Sequence, residues 1–176
     1  MGASSSNSYP RVTEILRAAG LVDDRWWTEE ARDLGTKVHK AAHYLAEGTL
    51  DWDTVDPRVA SRLASYQIFL DEMKPEILAI EETVTNELYR YIGHLDIRLR
   101  LHGREGVLDI KPPGKYPWHP IQLSLYAGCF PRKLARWNLH LNDEGNRPKL
   151  IEHRNRRDWE IAKAAITIAA WKGDHA

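Results

Sequence analysis

Hydrophobic positions change their period along this chain, and the changes mark out its elements. Between Pro57 and Met73 the apolar residues Val59, Leu63, Tyr66, Phe69, Leu70 and Met73 recur at helical spacing and form one stripe. Asp56-Pro57 suits its start, because aspartate caps a helix and proline tolerates the first helical position; Pro75 follows its end. From Tyr91 to Leu101 the period falls to two, which predicts a strand with Gly93, Leu95, Ile97, Leu99 and Leu101 on one face. His94, Asp96, Arg98 and Arg100 take the other face. Gly106 to Lys111 alternates in the same way, so Leu108 and Ile110 point into a core while Asp109 and Lys111 share the opposite side. Helices are also predicted from Thr13 to Ala19, from Thr28 to Glu47 (as one or two), from Pro120 to Phe130, and from Asp158 to Lys172. Ile77–Thr85, Leu134–Leu141 and Lys149–His153 read as strands, the last two joined by the turn-rich run Asn142-Asp143-Glu144-Gly145-Asn146. The order predicts an α/β fold, a central mixed sheet flanked by helices. Residues 9–176 form one expected domain, and the small polar run from Met1 to Ser8 reads as a disordered lead-in.

Composition narrows the class. With 176 residues, 43% of them hydrophobic, and seven tryptophans, the chain can build one core. No apolar run approaches the ~20 residues needed to span a bilayer, and no signal peptide is visible. The expectation is a soluble, cytoplasmic protein with no membrane partner. The single cysteine, Cys129, excludes an intramolecular disulfide and a four-cysteine iron–sulfur cluster built from this chain alone. A net charge of zero conceals an asymmetry: residues 1–87 carry 9 Lys/Arg against 16 Asp/Glu, and residues 88–157 carry 14 against 6. The basic part includes Arg98, Arg100, Lys115, Arg132, Lys133, Arg136, Arg154, Arg156 and Arg157. Cations in that number around a site suit a polyanion such as nucleic acid.

The chemistry is carried by Asp96, Asp109 and Lys111. If the two alternating strands pair as a hairpin around His102-Gly103-Arg104, Asp96 comes close to Asp109. Aspartate is depleted in strand interiors, and a buried carboxylate pair beside a lysine is costly without a cation between the acids. As hard oxygen donors the two suit Mg²⁺ or Mn²⁺. His39 and His43 stand four apart, the spacing of the zinc-protease helix, but Lys40 occupies the place where that motif needs its glutamate base. Metalloprotease chemistry is disfavoured. Glu81 and Glu82 lie near the middle of the preceding strand, where alternation lets only one face the acids; parity favours Glu82. Gln122 and Tyr126 fall one helical turn apart on a common face. Tyr116, Trp118 and His119, in the loop after the lysine, either stack on bases or pack.

Taken together, the run from Tyr91 to Tyr126 resembles the core of the PD-(D/E)XK nuclease superfamily, specifically its RecB-like branch. The resemblance rests on Gly93-His94-Leu95-Asp96, on Asp109-Ile110-Lys111, on Gln122 with Tyr126, and on Gly35-Thr36-Lys37-Val38-His39 upstream. The opening Tyr9-Pro10-Arg11-Val12-Thr13-Glu14-Ile15-Leu16 and the pair Trp26-Trp27 are similar to the start of phage-encoded nucleases of this type. Pro112-Pro113-Gly114 departs from the Thr-Gly that commonly follows the lysine. The resemblance implies a restriction-endonuclease-like core and metal-dependent cleavage of DNA, with one or two Mg²⁺ or Mn²⁺ ions held by His39, Asp96, Asp109 and the Ile110 carbonyl. It implies that Lys111 acts on the phosphate and attacking water, and that Gln122 and Tyr126 orient the lysine or contact the DNA backbone. It favours an exonuclease working on single- or double-stranded DNA ends in recombination or repair, in the host cytoplasm if phage-encoded. Homo-oligomerisation and a recombination partner protein are compatible with that role. A binding module or an accessory subunit with little activity of its own is the alternative.

Overall fold

A computed structural model describes residues 9–22, 28–114 and 116–175. The lead-in, Trp26-Trp27 and Lys115 fall outside them. Five α-helices and five strands follow in the order α1 (Val12–Ala18), α2 (Glu29–Ala46), α3 (Pro57–Met73), β1 (Glu76–Asn86), β2 (Tyr91–Leu101), β3 (Arg104–Lys111), α4 (His119–Ala127), β4 (Ala135–His140), β5 (Lys149–Glu152) and α5 (Arg157–Gly173), with a single 3-10 turn at Trp52–Thr54 before α3. The expected segment from Thr28 to Glu47 is a single helix, capped by the Thr28 hydroxyl, which accepts from the Ala31 amide at 3.1 Å. Asp56 caps α3 by accepting from the Arg58 amide at 3.0 Å, with Pro57 next in line. At α5 the expected cap fails. Asp158 lies inside the first turn, buried against Arg136 at 3.0 Å, and the cap position falls to Arg156 without a side-chain bond.

The strands form one mixed sheet in sequence order, β1-β2-β3-β4-β5. All neighbours are antiparallel except β3 and β4, which run parallel with α4 as their crossover. Helices cover both sides. Val12, Leu16, Val107, Leu123, Leu125 and Ala162 belong to a core under α1, α4 and α5. Val38, Leu63, Tyr66, Leu99, Leu108 and Leu139 belong to a second core under α2 and α3. Each fully buried aliphatic side chain contributes about 1.5–3 kcal/mol, so neither helical layer is dispensable.

The β2–β3 hairpin turns through His102 and Gly103, both at positive φ (49° and 75°). That pair of left-handed residues matches the natural strand twist. Its register descends from Leu101↔Arg104 to Ile97↔Leu108 and ends there. Asp96 and Asp109 are the next residues on each strand.

One expectation about β2 needs correction. Its odd positions do not all meet the same core: Tyr91 and Leu95 join the α1/α4/α5 side, whereas Ile97, Leu99 and Leu101 join the α2/α3 side. The change of side falls at Asp96. Opposite it, between the pairs Ile80↔Ile97 and Glu82↔Leu95, stands Glu81, whose φ of 51° is left-handed. A non-glycine residue in that region costs of order 1–3 kcal/mol. Strict alternation cannot anticipate it.

Candidate active site

The end of the β2–β3 ladder is where the acids gather. Asp96 Oδ2 accepts from the Ile110 amide at 2.8 Å, so a carboxylate on β2 takes the place of the backbone partner that β3 has lost. His39, presented by α2 across the opening, puts Nδ1 3.2 Å from the same oxygen. On β3, Lys111 Nζ lies 2.9 Å from Asp109 Oδ2, as residues two apart on one strand face allow. Asp109, only 3% exposed, also accepts from Asn138 Nδ2 at 2.8 Å. In sequence these residues are far apart; the sheet and α2 bring His39, Asp96, Asp109, Ile110 and Lys111 together.

The electrostatics follow from burial with charge. Burial alone would raise the Asp96 carboxyl, but the His39 charge and hydrogen bond, with Lys111 and the Ile110 amide, hold it below its ordinary value. Burial dominates at Asp109 and pushes its carboxyl up, against the pull of Lys111. The negative charge of Asp96 carries His39 up to about 9 despite desolvation. The two acids are therefore balanced by two side-chain cations, His39 and Lys111.

A cavity of about 880 Å³ opens over this group, lined by His39, His43, Glu81, Lys111, Tyr116 and Trp118 among others. Of the glutamate pair, it is Glu81 that lines it, 2.9 Å from His43 Nε2. Glu82 is turned away and bonded to Arg98 at 2.7 and 3.2 Å. The left-handed backbone at Glu81 redirects the side chains, so the parity argument for Glu82 points to the wrong residue. His43 faces Glu81. Trp118 is buried with the Lys111 ammonium 5.0 Å from its ring centre, and His119 packs edge-on to it at 4.4 Å. Burial first, then the Lys111 charge, pulls His119 down to about 3 and keeps it neutral. Tyr116 is the exposed member of the loop's aromatics, at 45%.

Gln122 and Tyr126 occupy the buried face of α4, joined by a bond from Gln122 Nε2 to the Tyr126 hydroxyl at 3.0 Å. Burial, reinforced by Asp109 and Asp96, raises the phenol well above its usual range, so it stays protonated. Gln122 Oε1 is buried without a hydrogen-bond partner. Two residues passed over in the sequence also reach the site: Tyr66 of α3, whose buried hydroxyl feels Asp96, and Asn138 of β4. Asn138 was findable, since it is a polar residue in the middle of the alternating run Trp137-Asn138-Leu139-His140-Leu141.

The basic residues are arranged differently from the expectation. Arg132, Lys133, Arg136, Arg154 and Arg156 surround a separate hollow of about 910 Å³. It lies beside Arg104 and Ala135, at the starting ends of the parallel strands β3 and β4, whereas the acids lie toward their finishing ends. Several of these cations are already paired: Arg132 with Glu105 and Arg154 with Glu152, while Arg98 shares Glu105 with Arg132 and also binds Glu82, and Arg100 binds Glu76. The arginine and lysines lining the cavity over the acids are Arg32, Lys40 and Lys111 among the described residues, beside the charged His39.

As a metal centre, the donor set fits in kind: the two carboxylates, with the His39 imidazole and the Ile110 carbonyl beside the cavity, are hard or borderline donors suited to Mg²⁺ or Mn²⁺. Among the described residues no three His, Cys, Asp or Glu side chains are already grouped to hold an ion.

No family model matches the chain, and no curated protein matches its sequence. Solved structures do match its fold. A candidate exonuclease from Eubacterium rectale superposes with a TM-score of 0.60 at 15% identity, over 98% of this chain and 85% of the other. LHK-Exo, crystallised with dAMP, superposes with a TM-score of 0.54 at 10% identity, over 94% and 87%. The chain thus has the α/β fold of these proteins. No helix among the described residues is long and apolar enough to cross a membrane.

Proposed function

We propose that this protein is a divalent-metal-dependent deoxyribonuclease of the RecB-like kind, hydrolysing phosphodiester bonds and acting on DNA ends as an exonuclease. The observation that carries the reading is the convergence of Asp96 and Asp109 at the end of the β2–β3 ladder, with Lys111 Nζ 2.9 Å from Asp109 and His39 Nδ1 3.2 Å from Asp96. The fold shared with an exonuclease candidate and with LHK-Exo supports it.

Asp96, Asp109, the Ile110 carbonyl and His39 would hold one or two Mg²⁺ or Mn²⁺ ions. When bound, such an ion lowers the pKa of its water and offsets charge on the attacking and leaving oxygens. His39 must give up its proton to become a ligand. Lys111, released from Asp109, presents its ammonium to a phosphate oxygen and orients the attacking water, where developing charge rewards a fixed cation. Trp118 packs against the lysine, and Tyr126, kept as a neutral phenol by burial and by the negative charge of Asp109 and Asp96, offers a proton donor beside the acids. Glu81, rather than Glu82, is the glutamate positioned to assist from the cavity wall. No covalent intermediate is required.

The test is digestion of end-labelled linear and closed circular DNA, single- and double-stranded, with Mn²⁺, Mg²⁺ or EDTA, alongside Lys111→Ala. Metal-dependent loss of linear DNA alone, absent in the variant, is the expected result, and the label fixes polarity. Nicked circles would make it an endonuclease. The basic hollow at the far end of β3 and β4 favours one other reading, a nucleic-acid-binding module. Salt-sensitive DNA binding without cleavage under every metal condition would establish that reading instead.

A further inference from the structure

We propose that Asn138 and His153 are positioning residues that fix the Asp109 carboxylate through a relay of hydrogen bonds across three adjacent strands. The inference rests on the nuclease reading above, in that it assigns the relay a purpose at that site. Asn138 is the direct cross-strand partner of Asp109 in the parallel β3–β4 register, and it is fully buried. Its Nδ2 donates to Asp109 Oδ2 at 2.8 Å. Its Oδ1 lies 2.8 Å from His153 Nε2, just beyond the end of β5.

The donor directions are forced by chemistry. An ionised carboxylate can only accept, so the amide must turn its NH₂ toward Asp109. The amide oxygen then faces His153, and His153 must carry its proton on Nε2. A buried asparagine with both ends engaged cannot flip without leaving two groups unpaired, at about 1–3 kcal/mol for each. One carboxylate oxygen of Asp109 is thereby tethered. Its orientation is set from behind by groups that do not touch the cavity over the acids, since neither Asn138 nor His153 lines it. His153 instead lines the basic hollow, so the relay links the acid to the opposite surface. Groups that orient a ligand in this manner change metal affinity or activity by about 10–100-fold when removed.

The experiment compares wild type with Asn138→Ala, His153→Leu, His153→Gln and Asp109→Asn. It measures kcat and KM on linear DNA, Mn²⁺ affinity by calorimetry, thermal unfolding, and the ¹⁵N shifts of the His153 ring. The expected result is a neutral Nε2–H tautomer at His153 in wild type. Asn138→Ala and His153→Leu should lower kcat and Mn²⁺ affinity by about 10-fold or more while KM holds. His153→Gln, which can still donate to the asparagine, should recover most of the loss. Wild-type kcat and Mn²⁺ affinity in a folded Asn138→Ala, or a His153 protonated on Nδ1 alone, would overturn the relay. Full cleavage by Asp109→Asn would overturn the role given to Asp109, and no cleavage by wild type would overturn the nuclease reading; the tautomer and Mn²⁺ measurements would still judge the relay.

Discussion

The Tyr126 ring fills the space that a side chain on Gly93 would need. A Cβ built on Gly93 would lie 2.8 Å from Tyr126 Cδ1 and 3.2 Å from both Cε1 and the Val84 Cγ2 methyl. Two features that look independent in sequence, a glycine three before Asp96 and a tyrosine four after Gln122, are therefore one packing contact between β2 and α4. Gly93→Ala is expected to push the ring aside, lower stability by about 1–3 kcal/mol as overpacking does, and break the Gln122–Tyr126 bond. Urea unfolding and a DNA digestion rate would check it; an unchanged midpoint would mean that the ring moves freely.

Metal binding should register as stability. If Asp96 and Asp109 hold Mn²⁺, an ion at about 100 times its dissociation constant adds about 2.7 kcal/mol. For a chain of this size that raises Tm by several degrees, at about 2–4 °C per kcal/mol. EDTA should reverse the gain, and Asp109→Asn should abolish it. A melting temperature indifferent to Mn²⁺ in wild type would count against the site.

The His39–Asp96 pair gives the metal-free protein a pH signature. An unfolded histidine titrates near ~6.5, and Asp96 holds the folded one at about 9. The imidazolium's contribution is therefore complete below the unfolded value and is lost as pH rises through the folded one. In EDTA, the urea midpoint of wild type should fall between pH 6.5 and about 9. His39→Gln should lack that part of the slope. Parallel curves for the two proteins would refute the pairing.

Glu81 and Glu82 should behave oppositely. Glu81→Gly removes a strained φ of 51°, and relieving such strain is worth about 1 kcal/mol or more, so stability should hold or rise while cleavage falls. Glu82→Gln weakens the bond to Arg98 and should leave cleavage intact at a modest loss of stability. Rates and unfolding midpoints for the pair decide it. A Glu82 variant that lost activity and a Glu81 variant that kept it would reverse the placement.

Much of this was legible because period and register are local properties. The span of β2 was read to the residue, and two-residue alternation placed Asp109 beside Lys111 correctly. What escaped had non-local causes. The change of side at Asp96 depends on a left-handed residue on the neighbouring strand. The Asn138 contact depends on β4 lying parallel to β3, which no spacing within either strand encodes. The basic residues were read as one block around the acids because sequence proximity was taken for proximity in space; the parallel strands instead carry most of them to the opposite end of the sheet.

The bond from the Ile110 amide to Asp96 makes that aspartate a piece of the scaffold as well as of the proposed chemistry. Truncating it to alanine would orphan a buried amide, so a dead Asp96→Ala protein would confound lost reactivity with a loosened strand. Asp96→Asn keeps an oxygen for the amide and leaves that same oxygen facing His39 without its charge. For capturing an uncut DNA complex it is the better instrument, because the trap would close on a site that still has its native shape.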